Sequence, residues 1–261
     1  MTDTLPQLED TFIETSNLLA DIARLVTAAH FRQKISVNRK SDLSPITAAD
    51  QQIEKEMREL IQSRHPDHSI FGEEFGLTKG STPWQWTLDP IDGTKSFVAG
   101  VPTFGSLIAL GHHDKPMLGV IEMPLLKERW LGITHKDTTH NGKKCSTSNA
   151  SLKDAVVLST TPEMFNSEQW IQFKKLSEVT CVRAFGTDCL GYGLLASGHT
   201  DLVIEADLKP YDFLALIPIV EGAGGKITDW NGKRLTNESD GTVLAAANLK
   251  LHGQALKILN T

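Results

Sequence analysis

Cysteine is scarce in this chain of 261 residues, which contains only Cys145, Cys181 and Cys189. Three is an odd number, and no two of these cysteines have the close spacing that is typical of zinc sites. The sequence therefore predicts neither a disulfide framework nor a zinc centre. It favours a reducing compartment, and we expect a cytoplasmic protein.

Positive charge is also in short supply, with 26 lysine and arginine residues against 32 aspartate and glutamate residues. The formal net charge is −6, and the basic clusters are short, as in Lys143-Lys144 and Lys233-Arg234. Nucleic acids are bound chiefly through positive charge that faces their phosphates. The composition therefore predicts no nucleic acid partner.

Long apolar runs are missing as well. No run approaches the ~18 residues that a membrane helix needs. Residues 1–10 lack the basic and apolar regions of a signal peptide, so we expect a soluble protein that is not exported and has no membrane partner. The hydrophobic content of 40% is nevertheless enough for a sizeable core.

Two helices are predicted near the start of the chain. Phe12, Leu19 and Val26 follow the helical period, which indicates an amphipathic helix over residues 8–31. The segment from Thr47 to Asp50 is typical of a helix N-terminus, and this second helix should end before His65-Pro66. Short apolar segments then predict a largely antiparallel sheet, with strands over 69–71, 84–88, 104–110, 117–122 and 129–133.

Strands and helices alternate from about residue 150. The predicted strands cover 155–159, 181–185, 201–205, 226–229 and 242–246, and the predicted helices cover 167–179, 188–197, 211–222 and the C-terminal segment. We therefore predict an α/β protein with an α+β half over residues 1–148 and an α/β half over residues 149–261. No low-complexity linker separates the halves, so they should pack together as one unit.

The segment Asp89-Pro90-Ile91-Asp92-Gly93-Thr94 is the most informative stretch of the chain. Its two carboxylates can converge on a hard cation, which takes oxygen ligands. The backbone N–H groups after Gly93 can face an anion at a helix N-terminus. Metal-assisted phosphate chemistry is the prediction, and it makes candidates of Glu73 and Glu74, a pair that would otherwise indicate solvated surface.

Together with Gly72-Glu73-Glu74 and Pro210-Tyr211-Asp212, this segment resembles the inositol monophosphatase-like family of magnesium-dependent, lithium-sensitive phosphatases. The resemblance runs from the Lys40 region to Gly224-Gly225. It implies a five-layer αβαβα sandwich, a homodimer, a phosphate ester as substrate, and two or three Mg²⁺ ions with Mn²⁺ as an alternative. The residues that it assigns to the metals are Glu73, Asp89, Asp92, Asp212 and the main-chain carbonyl of Ile91.

Catalytic roles also follow from the resemblance. It implies that Glu74 and Thr94 orient and deprotonate the attacking water, with Asp50 near that network. It places Lys40 close to the phosphate and metal, although a lysine in a polar loop is more often simply solvated. The residues implied to contact the substrate are Asp92, Gly93, Thr94, Asp188, Glu205 and Asp212.

Asp188 and Glu205 bear on which phosphate ester is bound. Inositol monophosphatases typically carry a small neutral residue at the position of Asp188, so these two carboxylates would suit a cationic alcohol. Histidinol offers an amino group and an imidazole, and the stretches 92–97 and 205–212 also resemble the histidinol-phosphate phosphatase branch. Asp188 alone could instead be a helix N-cap, for which aspartate is a preferred residue.

The sequence thus predicts hydrolysis of L-histidinol phosphate to L-histidinol and phosphate, in histidine biosynthesis, by a metal-activated water. One alternative is an inositol-1-monophosphatase or a sugar phosphatase of broad specificity. Another class of function is a regulatory or RNA-associated binding protein with the same fold. The intact set of candidate ligands and the acidic charge favour the enzyme.

Overall fold

The computed structural model describes residue 6 and residues 8–33, 37–39 and 45–261. Two long helices, α1 (Asp10–His30) and α2 (Ala48–Arg64), pack against each other near the start of the chain. Thr47 and Asp50 form a capping box at the start of α2, where each side chain accepts from the backbone of the other. Both predicted helices are therefore confirmed. A small antiparallel pair, β1 (Val37–Arg39) and β2 (Pro45–Thr47), precedes α2.

An eight-stranded sheet follows in the order β10-β9-β8-β7-β6-β5-β3-β4. Its strands are β3 (Ser69–Gly72), β4 (Gly76–Thr78), β5 (Trp84–Asp92), β6 (Gly105–His112), β7 (Lys115–Met123), β8 (Glu128–Ile133), β9 (Thr139–His140) and β10 (Lys143–Lys144). Strands β3 and β5 are parallel, and the other neighbours are antiparallel. The largely antiparallel sheet is confirmed, with β4, β9 and β10 as short additions. Helix α3 (Thr94–Ala99) connects β5 to β6.

The second sheet has five strands in the order β12-β11-β13-β15-β14. Its strands are β11 (Val156–Ser159), β12 (Val182–Phe185), β13 (Leu202–Glu205), β14 (Lys226–Thr228) and β15 (Val243–Ala246). Strand β11 is parallel to both of its neighbours, whereas β15 is antiparallel to both of its own. The helices of this half are α4 (Ser167–Glu178), α5 (Leu190–Ala196), α6 (Pro210–Phe213), α7 (Leu216–Gly222) and α8 (Leu249–Leu259).

The single helix predicted over 211–222 is wrong, because this segment forms the two helices α6 and α7. Pro218 lacks the N–H group that a continuous helix would direct to the carbonyl of Leu214. The junction also lies against β7, where a Cβ atom added to Gly119 would come within 1.9 Å of the Ala215 carbonyl oxygen. The tight approach at this break brings α6 close to β5 and β6.

Three apolar clusters connect five layers. Helices α1 and α2 cover one face of the eight-stranded sheet through residues such as Leu19 and Ile53. Helices α5, α6 and α7 fill the space between the sheets, where Tyr192 and Phe213 are buried. Helices α4 and α8 cover the outer face of the second sheet. The predicted αβαβα sandwich is confirmed. Among the residues that the structure describes, the helices are too short or too polar to span a membrane.

Candidate functional site

A β-bulge in β5 brings Asp89 and Asp92 to the same place. Asp89 pairs with Leu107 and Asp92 pairs with Gly105, so β5 has one more residue than β6 over this stretch. In a regular strand, residues three apart point to opposite faces. Pro90 lies within the bulge, where its missing N–H is tolerated, and its carbonyl oxygen accepts from the Ser106 hydroxyl at 2.5 Å.

Asp89, Asp92 and Asp212 form one carboxylate cluster. Each contributes an oxygen, and these three atoms lie within 4.8 Å of one another. Asp212 is the third residue of the short helix α6, and its Oδ2 accepts from the Lys209 N–H at 2.7 Å. Residues more than a hundred positions apart in the sequence therefore meet at one point.

The charge of this cluster is poorly compensated by the described residues. Burial, and then the carboxylates of Glu73, Asp92 and Asp212, raise the pKa of Asp89 well above its usual range. Burial followed by neighbouring carboxylates also raises the pKa of Asp92, and the pKa of Asp212 is raised to about 7, chiefly by burial. Oδ1 of Asp89 is buried and has no hydrogen-bond partner among the residues that the structure describes. Such a set of oxygen atoms is suited to a hard cation.

Glu73 and Glu74 form the turn between β3 and β4, and they differ in their surroundings. Glu73 lines the cavity beside the cluster and is close enough to Asp89 and Asp212 to raise the pKa of both. Glu74 is not among the residues that line this cavity, and its backbone N–H donates to Oε2 of Glu54 at 2.7 Å. The geometry thus brings Glu73 close to the aspartates.

Gly93 and Thr94 follow the bulge and begin α3. Gly93 has φ +83°, a left-handed conformation that glycine adopts without strain. The Thr94 hydroxyl donates to the main-chain carbonyl oxygen of Ile91 at 3.0 Å and lies 3.5 Å from Oδ1 of Asp50. Asp50 is buried, which raises its pKa above the usual range. Four of the predicted site residues are therefore neighbours here, whereas Lys40 lies outside the described part of the chain.

Asp188 does not cap a helix, so that alternative is wrong. It lies two residues before α5 with φ +44°, and Cys189 occupies the N-cap position. Its Oδ2 instead accepts from the Ser96 hydroxyl at 2.7 Å and from the Thr103 hydroxyl at 3.3 Å. Burial raises the pKa of Asp188. The next backbone N–H, that of Cys189, donates to Oδ2 of Asp92 at 2.5 Å and ties this segment to the cluster.

Glu205 ends β13 and is only 3% exposed. Its Oε1 accepts from the backbone N–H and the hydroxyl of Thr160, and its Oε2 accepts from the Tyr192 hydroxyl at 2.8 Å. Burial raises the pKa of Glu205 to about 7, although the bonds from Thr160 and Tyr192 act in the opposite direction. Both carboxylate oxygens are therefore engaged by the protein, and the residue that faces the cavity is Thr160.

An open cavity joins these features. The predicted residues that line it are Glu73, Gly93, Thr94, Asp188 and Asp212. It also contains residues to which the sequence analysis assigned no role, namely Lys95, Ser96, Thr160, Thr161, Glu163, Gly186 and Leu208. Thr160 and Thr161 directly follow the buried strand β11, and polar residues at a strand end were the signal that could have found them.

Residues 8–261 match the inositol monophosphatase family. The chain is 45% identical over 260 residues to the "bifunctional phosphatase IMPL2, chloroplastic" of Arabidopsis thaliana, covering 96% of this chain and 75% of the relative. It is 34% identical over 251 residues to the histidinol-phosphatase of Mycobacterium tuberculosis, covering 93% and 95% of the two chains.

A solved structure gives the same result. The inositol monophosphatase from Zymomonas mobilis superposes with a TM-score of 0.89 at 38% identity, covering 98% of this chain and 100% of that one. Fold, sequence and the arrangement of acidic motifs therefore agree. This chain belongs to the inositol monophosphatase family and is a phosphatase that acts on phosphoric monoesters.

Proposed function

We propose that this phosphatase converts L-histidinol phosphate to L-histidinol and phosphate, as a step of histidine biosynthesis. The observation that carries the proposal is the buried carboxylate of Asp188, which lines the cavity beside the carboxylate cluster of Asp89, Asp92 and Asp212. A cationic leaving group that follows the phosphate into this cavity would meet that carboxylate. A neutral polyol could donate a hydroxyl to that carboxylate but would bring no positive charge to pair with it.

The metals proposed for the site are Mg²⁺ ions, two or three in number, with Mn²⁺ as an alternative. The proposed ligands are Glu73, Asp89, Asp92, Asp212 and the Ile91 carbonyl, which offer only oxygen atoms. Oδ1 of Asp89 has no hydrogen-bond donor among the described residues, which supports this fit, since a buried carboxylate oxygen without a donor is costly unless a cation binds it. When bound, magnesium supplies a Lewis acid that neutralises phosphoryl charge and makes a coordinated water more acidic.

The chain's own groups would prepare the attack on phosphorus. In this proposal Thr94 and Glu74 orient the water, and its proton goes to a carboxylate: to Glu74 directly, or through the Thr94 hydroxyl to Asp50, whose Oδ1 lies 3.5 Å from that hydroxyl. The backbone N–H groups of Gly93 and Thr94 hold the phosphate, with Lys40 near it. Asp92 and Asp212 complete the phosphate side of the cavity.

Substrate selection is proposed to lie on the opposite wall. Asp188 would accept from the amino group or the imidazolium of histidinol. Glu205 is proposed to contribute negative charge behind Thr160, because both of its oxygens already accept from Thr160 and Tyr192. We further propose that the enzyme is a cytoplasmic homodimer in which residues 1–148 carry most metal ligands and residues 149–261 carry the substrate-selecting residues.

Phosphate release by the purified protein tests the substrate. With Mg²⁺, the value of kcat/KM should be at least about tenfold higher for histidinol phosphate than for inositol 1-phosphate or a hexose phosphate, a difference of about 1.4 kcal/mol in transition-state binding. Chelation of the metal should abolish all of these activities. The opposite ranking would support an inositol or sugar phosphatase, to which the likeness to the Zymomonas mobilis enzyme lends weight.

A further inference from the structure

Helix α2 contains a glutamate, Glu54, whose side chain points at the turn between β3 and β4, which carries Glu73. Glu54 is fully buried, at 0% exposure. Its Oε2 accepts from the Glu74 N–H at 2.7 Å, and its Oε1 accepts from the Phe75 N–H at 3.2 Å. The two consecutive N–H groups of the β3–β4 turn are therefore both bound by one carboxylate.

Arg58, one helical turn further on, binds the same carboxylate and the hairpin together. Its Nε lies 2.7 Å from Oε1 of Glu54. The two terminal nitrogens of its guanidinium group donate to the Gly76 carbonyl at 2.5 Å and to the Thr78 hydroxyl at 3.0 Å. Helix α2 is thus connected through this ion pair to the turn and to β4.

The fit between helix and hairpin leaves no room for a side chain. A Cβ atom added to Gly72 would lie 2.0 Å from Oε1 of Glu54. On the other side, the Glu73 N–H donates at 3.1 Å to the carbonyl of Leu88, which precedes Asp89 in β5. The backbone of Glu73 is therefore held between α2 and the strand that carries the aspartates.

Stability alone does not account for this arrangement. A buried ion pair must overcome the cost of removing two charges from water, and its net contribution to stability is often small. Its geometric effect is well defined, because a carboxylate with two N–H donors and an arginine has one orientation. Groups that orient metal ligands in this way typically change metal affinity when they are replaced.

We propose that Glu54 is a positioning residue, which holds the Glu73–Glu74 turn so that the Glu73 carboxylate shares a cation with Asp89 and Asp212. This inference rests on the proposed metal role of Glu73. Both carboxylate oxygens of Glu54 are engaged by protein groups, so it would act through the turn, and Arg58 fixes its orientation.

Titration of the full-length, metal-free protein with Mn²⁺, followed by the electron paramagnetic resonance signal of free Mn²⁺, tests the idea without substrate. In Glu54→Gln, the bond to the Glu74 or Phe75 N–H is lost, and the Mn²⁺ dissociation constant should rise about 10- to 100-fold. The Mg²⁺ concentration for half-maximal activity should rise in parallel, while kcat at saturating Mg²⁺ falls less than about threefold.

Glu122→Gln is the matched control. Glu122 is also fully buried and is held by Arg24 at 2.5 Å and Arg129 at 2.6 Å, but these partners connect β7 to α1 and β8. This variant should melt at a lower temperature with unchanged Mn²⁺ affinity. If Glu54→Gln behaves in the same way, Glu54 has only a structural role and the proposal is wrong.

Arg58→Lys covers the case in which Glu54→Gln does not fold. It keeps the charge but loses the fork that reaches Gly76 and Thr78, so a smaller rise in the Mn²⁺ dissociation constant, about three- to tenfold, is expected. An unchanged constant overturns the proposal. Failure of the wild-type protein to bind Mn²⁺ overturns it too, whereas Mn²⁺ binding without turnover of histidinol phosphate rejects only the proposed substrate.

Discussion

The hydroxyl of Ser96 donates a hydrogen bond of 2.7 Å to Oδ2 of Asp188, a residue 92 positions later in the chain. Ser96 belongs to the helix that follows the Asp89–Thr94 segment, whereas Asp188 precedes α5 in the second half. The wall proposed to select the substrate is therefore fixed directly to the helix beside the proposed phosphate site. A substitution at Asp188 should therefore change substrate binding more than it changes the stability of the fold.

Asp188→Asn should lower kcat/KM for histidinol phosphate about 10- to 100-fold, or about 1.4 to 2.7 kcal/mol, mainly through a higher KM. Asparagine keeps the acceptor for Ser96 and loses the charge. Steady-state kinetics with p-nitrophenyl phosphate, which has no cationic group, provides the control and should change less than about threefold. Equal losses on both substrates would show that Asp188 serves the phosphate half.

Asp89→Asn should abolish turnover and yet stabilise the metal-free protein. The substitution removes one of several buried carboxylates that repel one another and leaves the fold otherwise intact. In chelator, thermal unfolding should shift upward by about 2–4 °C for each kcal/mol gained. Added Mg²⁺ should then stabilise the wild type much more than the variant.

Asp201→Asn serves as the comparison for that experiment. Asp201 is buried outside the cluster and accepts from the Val156 N–H at 2.7 Å. Its replacement should lower the unfolding temperature and leave Mg²⁺-dependent activity per folded molecule unchanged. A lower melting temperature for metal-free Asp89→Asn would contradict the proposed charge repulsion.

The stability of the metal-free protein should fall as the pH rises from about 4.5 to about 7, and Glu205 should contribute to that fall. Its pKa is about 7 in the folded protein against 4.5 as an ordinary glutamate, so the native state binds more protons in this window. The shift corresponds to on the order of 3 kcal/mol between the two ends. Chemical denaturation across this range should show a flatter profile for Glu205→Gln, and an identical slope would refute the contribution.

Gly93→Ala should be more damaging than the same change at Gly142. Both glycines have positive φ, which costs alanine about 1–2 kcal/mol. A Cβ at Gly93 would also lie 2.6 Å from Cγ of Asp188, whereas one at Gly142 meets none of the described atoms within 4 Å. We expect Gly93→Ala to lose additional stability and to raise KM, with part of the loss relieved in Asp188→Ala. Equal costs at both sites would contradict the close contact.

Patterns within short segments predicted the helices α1 and α2, the longer strands of both sheets and the pair Asp89 and Asp92, whereas Asp212 was added only by the family resemblance. The spacing of Asp89 and Asp92 indicated the chemistry, because both residues lie in one segment. The partners of Asp188 could not be found in this way, since Ser96 and Thr103 lie 92 and 85 positions earlier and approach it only in the folded chain. The N-cap alternative failed for another reason, because the sequence does not show that Asp188 has a left-handed backbone.

Glu54 and Arg58 show the limit most clearly. Their spacing is that of an ordinary surface ion pair on a helix, and no motif in the sequence includes them. Only the approach of the β3–β4 hairpin buries them. Pro218 is the opposite case, because the sequence itself contained this signal that the helix predicted over 211–222 would be interrupted.

The extra residue in β5 makes the length of this strand part of the chemistry. Removing either Pro90 or Ile91 would restore regular pairing between β5 and β6. The two aspartates, Asp89 and Asp92, would then be two positions apart and would lie on the same face of a regular strand. The turn at Gly93 would be pulled back along the strand by one residue, about 3.3 Å, away from Asp188. Point substitutions can change the substrate pocket gradually, but a deletion here would move the Gly93 turn away from Asp188 in a single step.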